Sequence, residues 1–264
     1  MPLVFAATTP HPPILLPSIG KEEIEKLKKT QQAFAKVEEE LYLSKPHVIA
    51  IISPHGQLYD DAFTLNAHTR FISSFEEFGD HTTRNEWKGA PDMSAHIGHI
   101  AMEERIPVRL ISDDHIDHGV GVPLHFLATH MPDVKILPIG YSGLDAKSHL
   151  AFGYLLKNAF MDSDKRVALI ASGDLSHGLT TDAPAGFSKV GKEFDDKIIQ
   201  LLEAHNTTGI MQMDQKFVNE AAECGYRSLL ILLGALQNID YTFKNYAYEA
   251  PFGVGYLTGV FDFA

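Results

Sequence analysis

Residues 47–53 read HVIAIIS and are followed at once by PHG at 54–56. An unbroken apolar, β-branched run of this length, closed by Pro and Gly, predicts a strand buried on both faces, as in a parallel sheet covered by helices. The run VALIAS at 167–172 repeats the pattern and is likewise closed by a glycine, in GDLSHG. Outward from these two, shorter strands are predicted at Leu3–Ala7, Val108–Ile111 and Lys135–Ile139, with a further extended segment at Ala62–Phe71. Stretches of helical period lie between them, at 21–43, 94–104, 146–161, 188–205, 214–223 and 227–236. Alternation of this kind predicts the α/β class, with a mostly parallel central sheet covered by helices. Tyr241–Tyr248 and Val254–Phe261 read as two closing strands. Residues 76–94, polar and turn-rich, contain the only tryptophan, Trp87, and read as a surface excursion or an active-site flap. No tract rich in Pro, Gly or Ser divides the chain, so a single domain over 1–264 is expected.

Composition narrows the function classes. The chain is 45% hydrophobic and 21% charged, with a formal net charge of −12 and no basic stripe, which argues against a nucleic-acid partner. Cys224 is the only cysteine, so no intrachain disulfide forms, as expected in a reducing compartment. The N-terminus, MPLVFAATTPHPP, lacks a basic start and is broken by Pro10, unlike a signal peptide. The longest later apolar run, LLILLGAL, is too short to span a bilayer. A cytoplasmic protein is the expectation, with a homo-oligomer the commonest form for such chains.

The histidines are informative by position. His11 follows the first strand in TTPHPPI, His55 follows the second in IISPHG, His115 and His118 follow the strand ending at Ile111 in DDHIDHG, and His177 follows VALIAS in GDLSHG. Ligands of open α/β sheets bind outside the carboxyl ends of the parallel strands, so four strands are expected to deliver histidine to one edge. Prolines beside His11 and His55 stiffen the backbone, which suits a ligand that must hold its geometry. A loop histidine is more often a surface or capping residue. That reading is given to His47, His68, His96, His99, His125, His130, His149 and His205, while His81 in the excursion is left open.

Two neutral imidazoles and one carboxylate make the facial triad of non-haem Fe(II), which leaves positions open for substrate and dioxygen. The carboxylate has three candidates: Glu220 and Glu223 in NEAAECGYRS, and Glu249 in YEAPFGVGY. Their structural alternatives are charge at a helix N-terminus for the first two and a turn residue before Pro251 for the third.

Taken together, PHPPI at 10–14, SPHG at 53–56, DHGVGVPL at 117–124 and SGDLSHG at 172–178 resemble the LigB-type subunit of class III extradiol dioxygenases. With ECGYRSLLILLGAL at 223–236 and YEAPFGVGY at 248–256, the chain is most similar to the branch called AmmeMemoRadiSam system protein B, related to the Memo proteins. The resemblance runs from about residue 3 to residue 260 and rests on six motifs in order. It implies a LigB-like α/β fold and an Fe(II) site on His11, His55 and Glu223, with Glu249 as the alternative. It also implies that His177 is the active-site acid/base and that His118 contacts substrate or relays protons. Asp117 and Asp174 would orient them, since a carboxylate on the far ring nitrogen fixes a tautomer. Memo-like members carry a cysteine of a CG motif at the metal site, which here is Cys224–Gly225. A small buried apolar residue is the plain alternative for it.

Three readings follow. The first is an extradiol dioxygenase acting on a catechol-like or aminophenol-like ring with dioxygen, partnered by small molecules only. The second is a Memo-like metal-binding or partner-binding protein without ring cleavage. The third, a zinc hydrolase, rests on three histidines around an open position.

Overall fold

The computed structural model describes residues 2–263, and its organising element is one ten-stranded sheet. Its strands are β1 (Leu3–Thr9), β2 (Val48–Ser53), β3 (Phe63–Asn66), β4 (Arg70–Phe75), β5 (Asp80–Gly89), β6 (Val108–Ile111), β7 (Lys135–Gly140), β8 (Val167–Ser172), β9 (Tyr241–Glu249) and β10 (Tyr256–Phe263). The main order is β4-β5-β7-β2-β8-β1-β10-β9. The helices are α1 (Pro17–Gly20), α2 (Lys28–Leu43), α3 (Pro91–Glu103), α4 (His118–Leu127), α5 (Ala146–Met161), α6 (Gly191–Glu203), α7 (Thr207–Met211), α8 (Gln215–Glu220) and α9 (Tyr226–Ala235).

Strand period explains the layering. In β2, Val48, Ala50 and Ile52 join one apolar cluster while Ile49 and Ile51 join another. In β8, Val167, Leu169 and Ala171 join the first and Ala168 and Ile170 the second. Successive side chains of a strand point to opposite faces, so strands that are apolar up to their terminal serines, Ser53 and Ser172, must be covered on both. The first face is covered by α3, α5, α6 and α9, through residues such as Ile97, Phe152, Phe194 and Ile231. The second is covered by α2 and α4, through Phe34, Val37, Leu41, Val122 and Leu127.

β7, β2, β8 and β1 are mutually parallel and end at one edge. The rest of the sheet is mixed. β3 pairs antiparallel with β7, β6 follows β3 in parallel, and β10 closes against β1 antiparallel before pairing with β9. The extended segment expected at 62–71 is two strands, because the chain turns at 67–69 between β3 and β4. The expected excursion at 76–94 is mostly regular: β5 pairs antiparallel with β4, Trp87 lies opposite Phe71, and α3 already begins at Pro91. The helix expected from Lys21 starts at Lys28, preceded by 3-10 turns over Lys21–Leu27. Among the described residues no helix is long and apolar enough to cross a membrane.

β6 alters the expected delivery of histidine. It runs opposite to the main parallel group, so its carboxyl end points away from the edge where His11, His55 and His177 emerge. Residues 112–117 bring the chain back instead, pinned to β4 by Ile72 N–H to Asp114 O (2.7 Å) and Ile116 N–H to Ile72 O (3.0 Å).

Candidate metal centre

His11, His55 and His118 converge so that one ring nitrogen of each lies within 4.8 Å of the others. His11 is buried, at 2% exposure, and its Nε2 stands 3.0 Å from His55 Nε2. The His55 ring stacks on His118 at 4.3 Å between centroids, 25° from parallel. Sequence reasoning placed His118 in a substrate-contacting role; the structure brings it into the same cluster as the two expected metal histidines.

The tautomer of His11 follows from its neighbours. Ser172, the last residue of β8, donates its single hydroxyl proton to the Gly119 carbonyl at 2.5 Å. Its oxygen is then an acceptor for His11 Nδ1–H at 2.9 Å, which leaves Nε2 as a bare lone pair facing His55. The His11 backbone N–H donates to Asp174 Oδ1 at 3.0 Å. On the next strand Ser53 plays a parallel part. Its hydroxyl donates to Asp117 Oδ1 at 2.5 Å and its oxygen accepts the His55 N–H at 3.2 Å. Asp117 also caps α4 by accepting Val120 N–H at 3.2 Å, which sets His118 at the first helical position. Gly119 must be glycine here, because a Cβ would stand 2.4 Å from Ser53 Oγ.

His177 is tied differently. Its Nδ1–H donates to the Ala222 carbonyl at 2.6 Å, so Nε2 is free to accept a proton, 3.9 Å from Asp174 Oδ2. Ala222 adopts a left-handed φ of 52°, a costly conformation for a residue with a Cβ, and the same carbonyl also takes the His177 backbone N–H.

The electrostatics favour uncharged rings. Burial, then the neighbouring histidines, hold the His11 pKa well below its ordinary value. Burial lowers His55 to about 4 and His118 to about 4. Burial raises Asp174 to about 6 against the pull of His177. Neutral imidazoles are the form that binds a cation.

The other expected residues lie outside the three-histidine cluster, with Cys224 beside His11. Glu223 accepts the Tyr226 N–H at 2.5 Å, at the mouth of α9, and burial raises it to about 7. Its charge is felt by Tyr141, Tyr226 and Cys224, and it is not in the three-histidine cluster. Glu249 accepts both the N–H and the hydroxyl of Thr30, each at 2.7 Å, tying β9 to α2. Glu220 is on the last turn of α8, its carboxylate 3.8 Å from Lys216. Cys224 Sγ lies 3.7 Å from His11 Nε2 and accepts the Asp174 N–H at 3.2 Å. Burial and Asp174 raise its pKa well above the ordinary value, so it is held as a thiol. His115 is on the surface, 2.9 Å from Asp114.

Sequence reasoning missed Ser53 and Ser172, although each ends the strand that precedes a site histidine. It also missed Glu77 and Phe78, the part of the expected flap that reaches the site. Glu77 Oε1 lies 3.9 Å from His118 Nδ1, and the Phe78 ring meets His118 edge-on at 5.0 Å.

A divalent metal ion fits this donor set. Ring nitrogens bound at ~2.1 Å and at right angles about one ion stand ~3.0 Å apart, the spacing seen between His11 and His55. A cavity of about 280 Å³ opens beside His55, between the ends of β2 and β7 and the returning segment 111–117.

Comparison with known proteins assigns the chain to a family. A family model described as the catalytic LigB subunit of aromatic ring-opening dioxygenase matches residues 5–259. A protein of Clostridium acetobutylicum is 32% identical over 256 residues, covering 94% of this chain and 55% of that protein. A MEMO1 family protein of Methanosarcina mazei is 29% identical over 124 residues, covering 47% of this chain and 43% of that protein. The chain thus spans about half the length of these curated relatives. The crystal structure of an uncharacterized protein of Escherichia coli K12 shares the fold, with a TM-score of 0.68 at 18% identity, over 98% of this chain and 99% of that one.

Proposed function

We propose, for a chain that belongs to the LigB family of aromatic ring-opening dioxygenase subunits, on its Memo-like branch, that it is a non-haem Fe(II)-dependent extradiol-type dioxygenase. Its substrate in this reading is a catechol-like or aminophenol-like ring, opened with dioxygen. The observation that carries the reading is the pair of neutral imidazoles, His11 and His55, whose Nε2 atoms stand 3.0 Å apart with the tautomer of His11 set by Ser172. Ferrous ion, when bound, supplies the redox chemistry, and the protein supplies binding, orientation and proton transfers.

His11 and His55 hold the ion. His118 takes the third place, because it shares the cluster with His11 and His55 while Glu223 is engaged by Tyr226. His177 accepts the proton that a substrate hydroxyl loses on binding, at the Nε2 that Ala222 leaves free. The same nitrogen returns it as the ring opens. Asp174 keeps the arrangement rigid by holding the His11 backbone. Phe78 covers the outer edge of His118 and limits water there.

The test is oxygen uptake after anaerobic loading with Fe²⁺, over catechol, substituted catechols and 2-aminophenol. Uptake that disappears in His177→Ala supports the reading. A fully loaded protein that turns over none of the panel would sink it.

A second reading, a Memo-like metal-binding or partner-binding protein without ring cleavage, is favoured by Cys224 Sγ at 3.7 Å from His11 Nε2 and by the MEMO1 family relatives. A thiolate donor suits a softer metal such as copper. Copper retained by the wild type and lost in Cys224→Ala, without turnover, would select it.

A further inference from the structure

The cavity beside His55 has a lopsided lining. Two carboxylates, Asp113 and Asp117, face it, and no lysine or arginine does. Asp117 spends Oδ1 on Ser53 and Val120, while Asp113 spends Oδ1 on the His115 N–H at 3.0 Å. Among the described residues, the bonds placed on a named oxygen all fall on Oδ1, with the Gly119 N–H a further support of the Asp117 carboxyl, and Asp113 is solvent-exposed. Asn66, which also lines the cavity, is spent on the loop: its amide donates to Asp113 O at 2.9 Å and its oxygen accepts Asp113 N–H at 3.2 Å. Arg109 on β6 is not available as a counterion, because it pairs with both oxygens of Asp61 (3.0 and 2.9 Å) and lies over the Tyr59 ring. The cavity therefore offers acceptors and negative charge to whatever enters it. Its volume, about 280 Å³, is at the small end of the ~300–1,000 Å³ usual for ligand pockets and suits a single-ring molecule.

We propose that this cavity receives the ring substituent of the substrate and selects one that carries a positive charge, a protonated amine on a short alkyl chain, against one that carries a carboxylate. The proposal rests on the reading of the histidine cluster as a catechol site and adds the substrate class to it. An ammonium donates to these carboxylates and brings an opposite charge that no lysine or arginine of the lining supplies. A carboxylate would meet two like charges with no lysine or arginine in the lining to offset them.

The experiment is anaerobic titration calorimetry of four probes: catechol, 4-ethylcatechol, dopamine and 3,4-dihydroxyphenylacetate. Each is measured with and without Fe²⁺, on the wild type and on Asp113→Asn. Dopamine is expected to bind about tenfold or more tighter than 4-ethylcatechol, and 3,4-dihydroxyphenylacetate weaker than 4-ethylcatechol. Asp113→Asn is expected to narrow the gap between amine and acid while leaving catechol itself unchanged. Equal binding of amine and acid, tighter binding of the acid, or a gap that Asp113→Asn leaves untouched overturns the proposal while the catechol site stands. Failure of catechol itself to bind in the presence of Fe²⁺ overturns both.

Discussion

The hydroxyl of Ser172 has one proton, and giving it to Gly119 leaves His11 Nδ1–H as the donor in the next bond. Two hydrogen bonds thus decide which nitrogen of His11 faces its neighbours. Removing such a partner usually costs 10–100-fold in metal affinity, so Ser172→Ala is expected to weaken Fe²⁺ or Co²⁺ binding by about that factor while the urea midpoint moves little. Affinity equal to wild type would mean that the tautomer is set by something else. Gly119 makes a steric prediction at the same place. An alanine methyl would meet Ser53 Oγ at 2.4 Å and Asp117 Oδ1 at 2.8 Å, and both are anchored by the bond between them. Gly119→Ala should cost about 1–3 kcal/mol in urea denaturation and also weaken metal binding; a variant with wild-type values in both would refute the account of that contact. These dependencies were not legible in the sequence. His11, His55 and His177 stood out because Pro or Gly flanks them after apolar runs, whereas a serine at a strand end looks like any other turn residue.

At the scale of elements, α6, β9 and the loop after β8 join through Asp195. This carboxyl is fully buried and accepts Ser176 N–H at 2.9 Å and the Tyr248 hydroxyl at 2.7 Å. Burial raises its pKa to about 7, well above the unfolded value near 3.8. The folded state then holds its proton more tightly than the unfolded chain. Stability from this group is complete below about pH 4 and is lost as pH rises towards about 7, by a few kcal/mol in order of magnitude. Asp195→Asn keeps an acceptor for Ser176 and removes the titration. Urea midpoints at pH 5 and pH 8 should therefore differ less in the variant than in the wild type, and identical differences would contradict the assignment. At this scale the sequence was most readable where packing leaves no choice. VIAIIS and VALIAS became β2 and β8, since runs that are apolar up to a terminal serine have to sit between two covered faces. It was least readable at 76–94, where exposed Thr82, Arg84, Glu86 and Lys88 alternate with half-buried Thr83, Asn85 and Trp87 along a partly solvated strand that composition alone marks as a loop. The direction of β6 was equally hidden, because a four-residue run says nothing about which neighbour it pairs with.

The whole molecule brings residues distant in the chain to one edge of one sheet, with His11 and His55 separated by 44 positions and His11 and Ser172 by 161. The α/β class and the convergence of His11, His55 and His177 follow from strand order and were legible as such. The place of His118 follows instead from the return of residues 112–117 and the Asp117 cap, and the role of Glu223 follows from burial at α9, neither of which a motif discloses. The central claim is that the three histidines hold a metal ion, and it is tested most directly by metal stoichiometry. Protein purified anaerobically and loaded with Fe²⁺ is assayed for metal by elemental analysis, alongside His11→Ala, His55→Ala, His118→Ala and Glu223→Gln. The account predicts about one iron per chain, lost in the three histidine variants and kept in Glu223→Gln. Iron retained in His11→Ala and His55→Ala, or lost in Glu223→Gln with His118→Ala unaffected, would contradict it.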